Sequence, residues 1–232
     1  MAKTLRQSKS NGEKLPYRNF RTTMFHWRKN KSNEPRANCA SQQTRPVKIK
    51  RPKWDDVYRG YPKNKSETDD LPAPDVFLSI FEKKYYEANV SLFSNACATR
   101  VSLGLIEGGM LVKTAFKITK KEHKYINKGF QTSAIGLKNW LSQENVWGSA
   151  DEFIEAKNKG VYNSAIPDIT LVDVQNKIKN RNGVYIILPK KGYFNDPRVT
   201  GHATLWVGSN NDVIGGHNYS EGALEIYFWE LK

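Results

Sequence analysis

Cysteine is nearly absent: the 232 residues contain two, Cys39 and Cys97. A single pair linking positions so far apart makes a poor framework, so a disulfide-stapled scaffold is excluded and Cys97 is left free for chemistry. That count suits synthesis in a reducing compartment. Long apolar runs are also missing. None approaches the roughly 18 residues that span a bilayer, so no membrane insertion is expected. The basic N-terminus lacks the apolar core of a secretory signal, which points to synthesis in the cytoplasm without a signal peptide. The chain has no CxxC, HExxH or GxxxxGK[ST] spacing, so neither a metal nor another cofactor is expected. Acidic residues are scarce at one end only. Residues 1–53 hold 15 Lys or Arg against Glu13 and Glu34.

That stretch accounts for +13 of the formal +14, leaving the remainder close to neutral. It is rich in Asn, Ser, Gln and Lys and has no apolar period. The composition predicts a solvated, disordered extension over residues 1–50, followed by a folded domain over 51–232. A nucleic-acid-binding module driven by the tail is the reading of another class, with affinity that falls steeply as salt rises. It leaves the near-neutral domain without a role, and nucleic acid is not the expected partner.

Within the domain, Trp54, Val57, Tyr58 and Tyr61 fall at i, i+3, i+4 and i+7, one face of a short helix closed by Pro62. "PDVFLSIF" restarts an apolar helix with Pro74 in its first turn. In "FSNACATRVSLGLIEGG", Ser94 or Asn95 is the expected N-cap, Ala98, Val101 and Leu105 form a buried stripe, and Gly108-Gly109 ends the helix. Further helices are expected at about 133–143 and 170–180, with loops at 110–132 and 145–168 shaping a groove. "GVYIILPKK", "GHATLWVG" and "LEIYFWEL" are strands by length and composition. In the second of these, His202, Thr204 and Trp206 share one face, and Ala203 and Leu205 the other. Helices first and strands after predict an α+β fold, an antiparallel sheet with the Cys97 helix packed on one side.

Cys97 thus sits in a helical first turn, where free N–H groups and the helix dipole favour a thiolate. Its own N–H is the expected oxyanion donor. His202 opens a strand about a hundred residues later. A thiol needs such a base to take its proton and then to protonate a leaving amine. Asp212, ten residues after His202 across "GSNND", is the expected orienting acid, with Asn210 and Asn211 as competitors. His217 follows Gly215-Gly216 and is a rival base. Neither His26 nor His123 has a thiol or carboxylate at useful spacing. A lone buried cysteine is more often an inert hydrophobe, and a strand histidine more often structural. It is their joint context that raises both.

"RPKWDDVYRGYP", "FSNACATRVSLGL", "GVYIIL" and "GHATLWVG", in this order, resemble the amidase effector 4 family of type VI secretion, over about residues 50–232. The resemblance implies a papain-like fold of the NlpC/P60 type, with Cys97 as nucleophile, His202 as base and Asp212 as orienting acid. It implies a peptidoglycan amidase that cuts the γ-D-glutamyl–meso-diaminopimelate bond of stem peptides. The implied partners are that stem peptide, the type VI secretion apparatus and a cognate immunity protein. The implied place of action is the periplasm of an injected rival cell. Thr99 replaces the bulky aliphatic common in the family's box around the nucleophile. The extra loop cysteines of several members are missing. A cysteine peptidase or deamidase acting on a protein is the alternative within the same fold, because the fold does not fix the substrate.

Overall fold

A computed structural model of the chain describes residues 48–232 apart from 115 and 166. The described residues fall in one compact unit. The expected extension, with His26 and Cys39, lies outside them except for residues 48–50.

Helix α1 (Trp54–Gly60) forms where the i, i+3, i+4, i+7 pattern predicts it, and Tyr61 caps its C-terminus with an N–H bond to Val57 O. Helix α2 (Ala73–Ile80) takes Pro74 into its first turn, where a missing N–H costs nothing. A short helix α3 (Lys83–Ala88) follows, in a segment whose charged residues show no apolar period. Helix α4 (Cys97–Glu107) is the central one, with Ala98, Val101 and Leu105 all buried. Its regular part starts two to three residues after the expected caps. Asn95 still acts at that end through its side chain. Helix α5 (Ala134–Leu141) is capped by the Ser133 hydroxyl, which accepts the Gly136 N–H. Helix α6 (Leu171–Ile178) starts with a reciprocal capping box between Thr170 and Asp173.

Five strands build one antiparallel sheet: β1 (Glu152–Glu155), β2 (Asn182–Pro189), β3 (His202–Val207), β4 (Asp212–Val213) and β5 (Ala223–Leu231), in the order β1-β5-β2-β3-β4. Both faces are covered, which is why β2 and β3 read as continuous apolar runs instead of alternating ones. Val184, Ile186, Ala203 and Leu205 join the core beneath α1, α4 and α5. Tyr185, Ile187, Trp206 and Phe228 join a second core with Val174 and Ile178 of α6. The alternation expected along 202–206 is therefore real. Strands β1 and β4 lie where no strand was expected. One is a four-residue edge strand with Phe153 and Glu155 exposed, the other has two residues, and neither is long enough to show a period.

Two close approaches fix α4 and β3. A Cβ on Gly104 would lie 2.7 Å from Val57 O, so a bare α-carbon lets α1 cross directly over α4. A Cβ on Gly201 would collide with Ile187 O, and its φ of +151° suits only glycine. Gly201 thus lets the chain enter β3 tightly against β2, and His202 pairs with Ile187 as the first residue of that strand.

Candidate active site

Helix α4 packs on β3, and this contact sets Cys97 against the start of the strand. Cys97 is 3% exposed and His202 8%. The backbones of Ala203, the residue after His202, and of Ala98 lie close enough to the thiol for their N–H groups to pull it down, against the larger opposite effect of burial. The nucleophile and base expected from the sequence therefore lie at the same end of β3, Cys97 against the residue that follows His202 and both near the Tyr219 ring.

The expected oxyanion donor is not free. The Cys97 N–H donates to Asn95 Oδ1 at 2.9 Å. The side chain two residues earlier satisfies the orphan donor that the helix start creates, as an Asx turn does.

Electrostatics set the resting protonation. Burial pushes the Cys97 thiol above its ordinary range, against the opposing pull of the Ala203 and Ala98 N–H groups and of Arg100. Burial also pushes the His202 imidazole down to about 3, helped by the positive charges of Arg100 and His217. Both shifts favour a neutral thiol beside a neutral imidazole. That state differs from the thiolate that a helix dipole alone would suggest. A neutral imidazole is the form that can accept a proton from the thiol at the moment of attack.

Asp212 is not brought to His202. It pairs with Val207 across the β3–β4 hairpin, five residues beyond His202, which is about 16 Å along a strand. Its Oδ1 accepts the Val213 N–H at 2.7 Å and the Asn218 amide at 3.2 Å. Asn210 and Asn211 occupy the same distant turn, and the Asn211 carbonyl is taken by Gln175. The groups that face the His202 ring come from the loop after β4. Tyr219 meets it edge-on with centroids 4.9 Å apart, and His217 stacks on the same Tyr219 ring at 6.0 Å. Tyr219 sits in the left-handed region, φ 51° and ψ 26°, an uncommon conformation for a bulky side chain. His123 lies beside Tyr125, far from this point.

A buried polar cluster behind the site went unread in the sequence. Arg100, one turn after Cys97, pairs with Asp70 at 3.0 Å and donates Nε to Leu71 O at 2.9 Å. The Tyr61 hydroxyl donates to Asp70 Oδ1 at 2.7 Å and lies 3.2 Å from Thr204 Oγ1. The only available signal was a charged residue at i+3 from Cys97 within an otherwise apolar stripe. Among the described residues no group of three His, Cys, Asp or Glu side chains is arranged to hold a metal. No described helix is long and apolar enough to cross a membrane.

Residues 93–229 match the family model described as type VI secretion system (T6SS), amidase effector protein 4. The chain belongs to that family. Its match spans α4 through β5 and includes Cys97 and His202. Among solved structures, the Tae4–Tai4 effector–immunity complex from Enterobacter cloacae aligns with a TM-score of 0.54 at 18% identity, covering 79% of this chain and 100% of that one. The Tae4/Tai4 effector–immunity system from Salmonella typhimurium aligns at 0.53 and 17%, over 79% and 100%. Salmonella Tae4 bound to the Enterobacter immunity protein Tai4 aligns at 0.51 and 15%, over 78% and 100%. These likenesses carry the fold. No curated protein matches. As an amidase effector 4 protein, the chain is a type VI secretion effector and a hydrolase with an α+β fold.

Proposed function

We propose that this amidase effector cleaves the γ-D-glutamyl–meso-diaminopimelate bond of peptidoglycan stem peptides by cysteine catalysis, in a fold of the NlpC/P60 type. The observation that supports this most directly is the Cys97 thiol, buried at the start of α4 against β3 at Ala203, next to His202. His202 takes the thiol proton as Sγ bonds to the scissile carbonyl carbon, then passes it to the amine nitrogen as the C–N bond breaks. Water hydrolyses the thioester. His202 accepts the proton of that water and returns it to sulfur. Orientation of the imidazole falls to Tyr219, which meets it edge-on, with His217 stacked on the same Tyr219 ring.

The chain would be injected by the secretion apparatus into the periplasm of a rival cell. A cognate immunity protein would protect kin; the aligned effectors are paired with the immunity protein Tai4. The test is digestion of purified sacculi. New stem-peptide termini should appear by mass spectrometry with the unaltered chain and vanish with Cys97→Ala. Sacculi left intact by the unaltered chain, or cut equally well by Cys97→Ala, would remove the proposal. A protein cleaved or deamidated while sacculi stay intact would point to the alternative substrate class.

A further inference from the structure

The ion pair behind the site is an unusual place to bury charge. Arg100 is almost fully buried, as is the Tyr61 ring, and Asp70 is mostly so. A buried pair of this kind seldom repays its desolvation, and replacing it with apolar groups is often neutral or stabilising. Its location is also specific. Arg100 is on the same helix as Cys97, one turn on, so both side chains leave the same face. Asp70 reaches it from the segment between α1 and α2. Through Tyr61 the cluster touches Thr204, two residues after His202 on the same face of β3. The pair therefore spans the nucleophile helix and the base strand from behind.

We infer that Arg100 and Asp70 are positioning residues that set the charge felt by Cys97 and His202, Arg100 as the fixed cation and Asp70 as the counter-charge that limits its reach. The inference rests on the cysteine reading of this site. A guanidinium carries its charge at any working pH. Facing the thiol and imidazole with no counter-ion, it would hold His202 neutral too firmly to protonate a leaving amine. With Asp70 at 3.0 Å the two charges act as a dipole with its positive end toward α4. Other titratable groups face the same point from each neighbouring element: His202 on β3, His217 and Tyr219 after β4, and Tyr61 at the end of α1. Each is present in every variant below, so differences between variants isolate the pair. The directions agree with the geometry. Arg100 lowers both Cys97 and His202, and Asp70 raises Cys97.

The test is the pH dependence of Cys97 alkylation by iodoacetamide, in the full chain with Cys39→Ser so that one thiol reacts. Alkylation reads the thiolate and needs no substrate. With Arg100→Gln the profile should move to higher pH and the rate at pH 7 should fall about threefold to tenfold. With Asp70→Asn the profile should move to lower pH and the rate at pH 7 should rise by a similar factor, while amidase activity falls. The double variant should return toward the parent profile. A merely structural pair would shift both single variants the same way, or neither, and that result overturns the inference. If Arg100→Gln does not fold, Asp70→Asn and Arg100→Lys carry the test. Lysine keeps the charge and should keep the parent profile, and a shift with lysine as large as that with asparagine overturns the inference. Digested sacculi with unshifted alkylation profiles would sink this inference alone. Intact sacculi with shifted profiles would sink the amidase reading alone.

Discussion

The two ends of β3 show two ways a polar side chain is held. At the first residue, His202 is buried, pinned by the tight entry at Gly201 and covered by Tyr219. It makes no side-chain hydrogen bond among the described residues, and burial drives it to the neutral form. Just past the last residue, Asp212 opens β4 in a part-exposed turn with its carboxylate tied to the next backbone N–H and to Asn218. The first arrangement leaves a lone pair without a partner and available for proton transfer. The second spends its acceptors on shaping a turn. On the proposed cysteine mechanism, reactivity on this strand goes with lack of local satisfaction, and burial maintains that lack.

The largest expected effect tests the reactive end directly. His202→Gln keeps the size and a polar tip but removes the proposed base. Amidase activity on sacculi should fall by about a thousandfold, since general acid–base catalysis by one group contributes 10²–10⁴. Thermal stability should stay near the parent value or rise, because a buried imidazole is removed. A loss below about tenfold would show that the base is elsewhere and would remove the distinction between the two ends.

Acid should reveal the same burial in stability. His202 in the fold is pushed down to about 3, whereas an unfolded histidine titrates near 6.5. The unfolded chain therefore binds the proton first. The stabilisation is complete above about pH 6.5 and is lost as pH falls toward 3, by on the order of a few kcal/mol. Cys97 has the opposite sign. Its raised thiol contributes fully below the ordinary value of 9.0 and loses that contribution as pH rises past it. Unfolding midpoints measured across pH should form a plateau between these limits. His202→Gln should flatten the acid side, and an equally steep fall in that variant would place the acid sensitivity in other groups.

How much of this was readable depends on the reach of each signal. Periodicity marked α1 and α4 because Val57, Val101 and Leu105 repeat within a few residues, and composition marked β2, β3 and β5. The positions of Cys97 and His202 followed from those elements, since a helix start and a strand start are local features. The partner of His202 did not follow. A separation of ten residues places Asp212 beside His202 only if the hairpin turns midway between them. Here the ladder pairs Val207 with Asp212 and Trp206 with Val213, so the turn is too late. The chain then leaves the ladder in a turn over Ile214–Gly216, and Tyr219 beyond it returns to the His202 ring with His217 stacked on it. The Arg100–Asp70 pair was invisible for a similar reason, because it joins two segments 30 residues apart with no shared pattern.

His217→Ala should lower amidase activity by about tenfold, chiefly through looser placement of the His202 ring once the stack on Tyr219 is lost. Its pH–rate profile should shift to higher pH, because one of the positive charges that hold His202 down is gone. An unchanged profile with unchanged activity would mean that Tyr219 alone holds the imidazole, and the comparison would then rest on one contact instead of two.

Asp212→Asn should have the smallest effect. Asparagine can still accept the Val213 N–H through its side-chain oxygen, so the turn survives the substitution. The weakened bond to Asn218 should cost about 1 kcal/mol of stability, the scale of a single part-buried hydrogen bond. Activity should stay within about threefold of the parent, and the pH–rate profile should not move, because an uncharged group about 16 Å along the strand has little hold on the imidazole. A loss of a hundredfold with a displaced profile would mean that the hairpin shifts register in the working enzyme and carries the carboxylate to His202. That result would reverse the comparison, making the turn end of β3 part of the catalytic machinery and His217 the bystander.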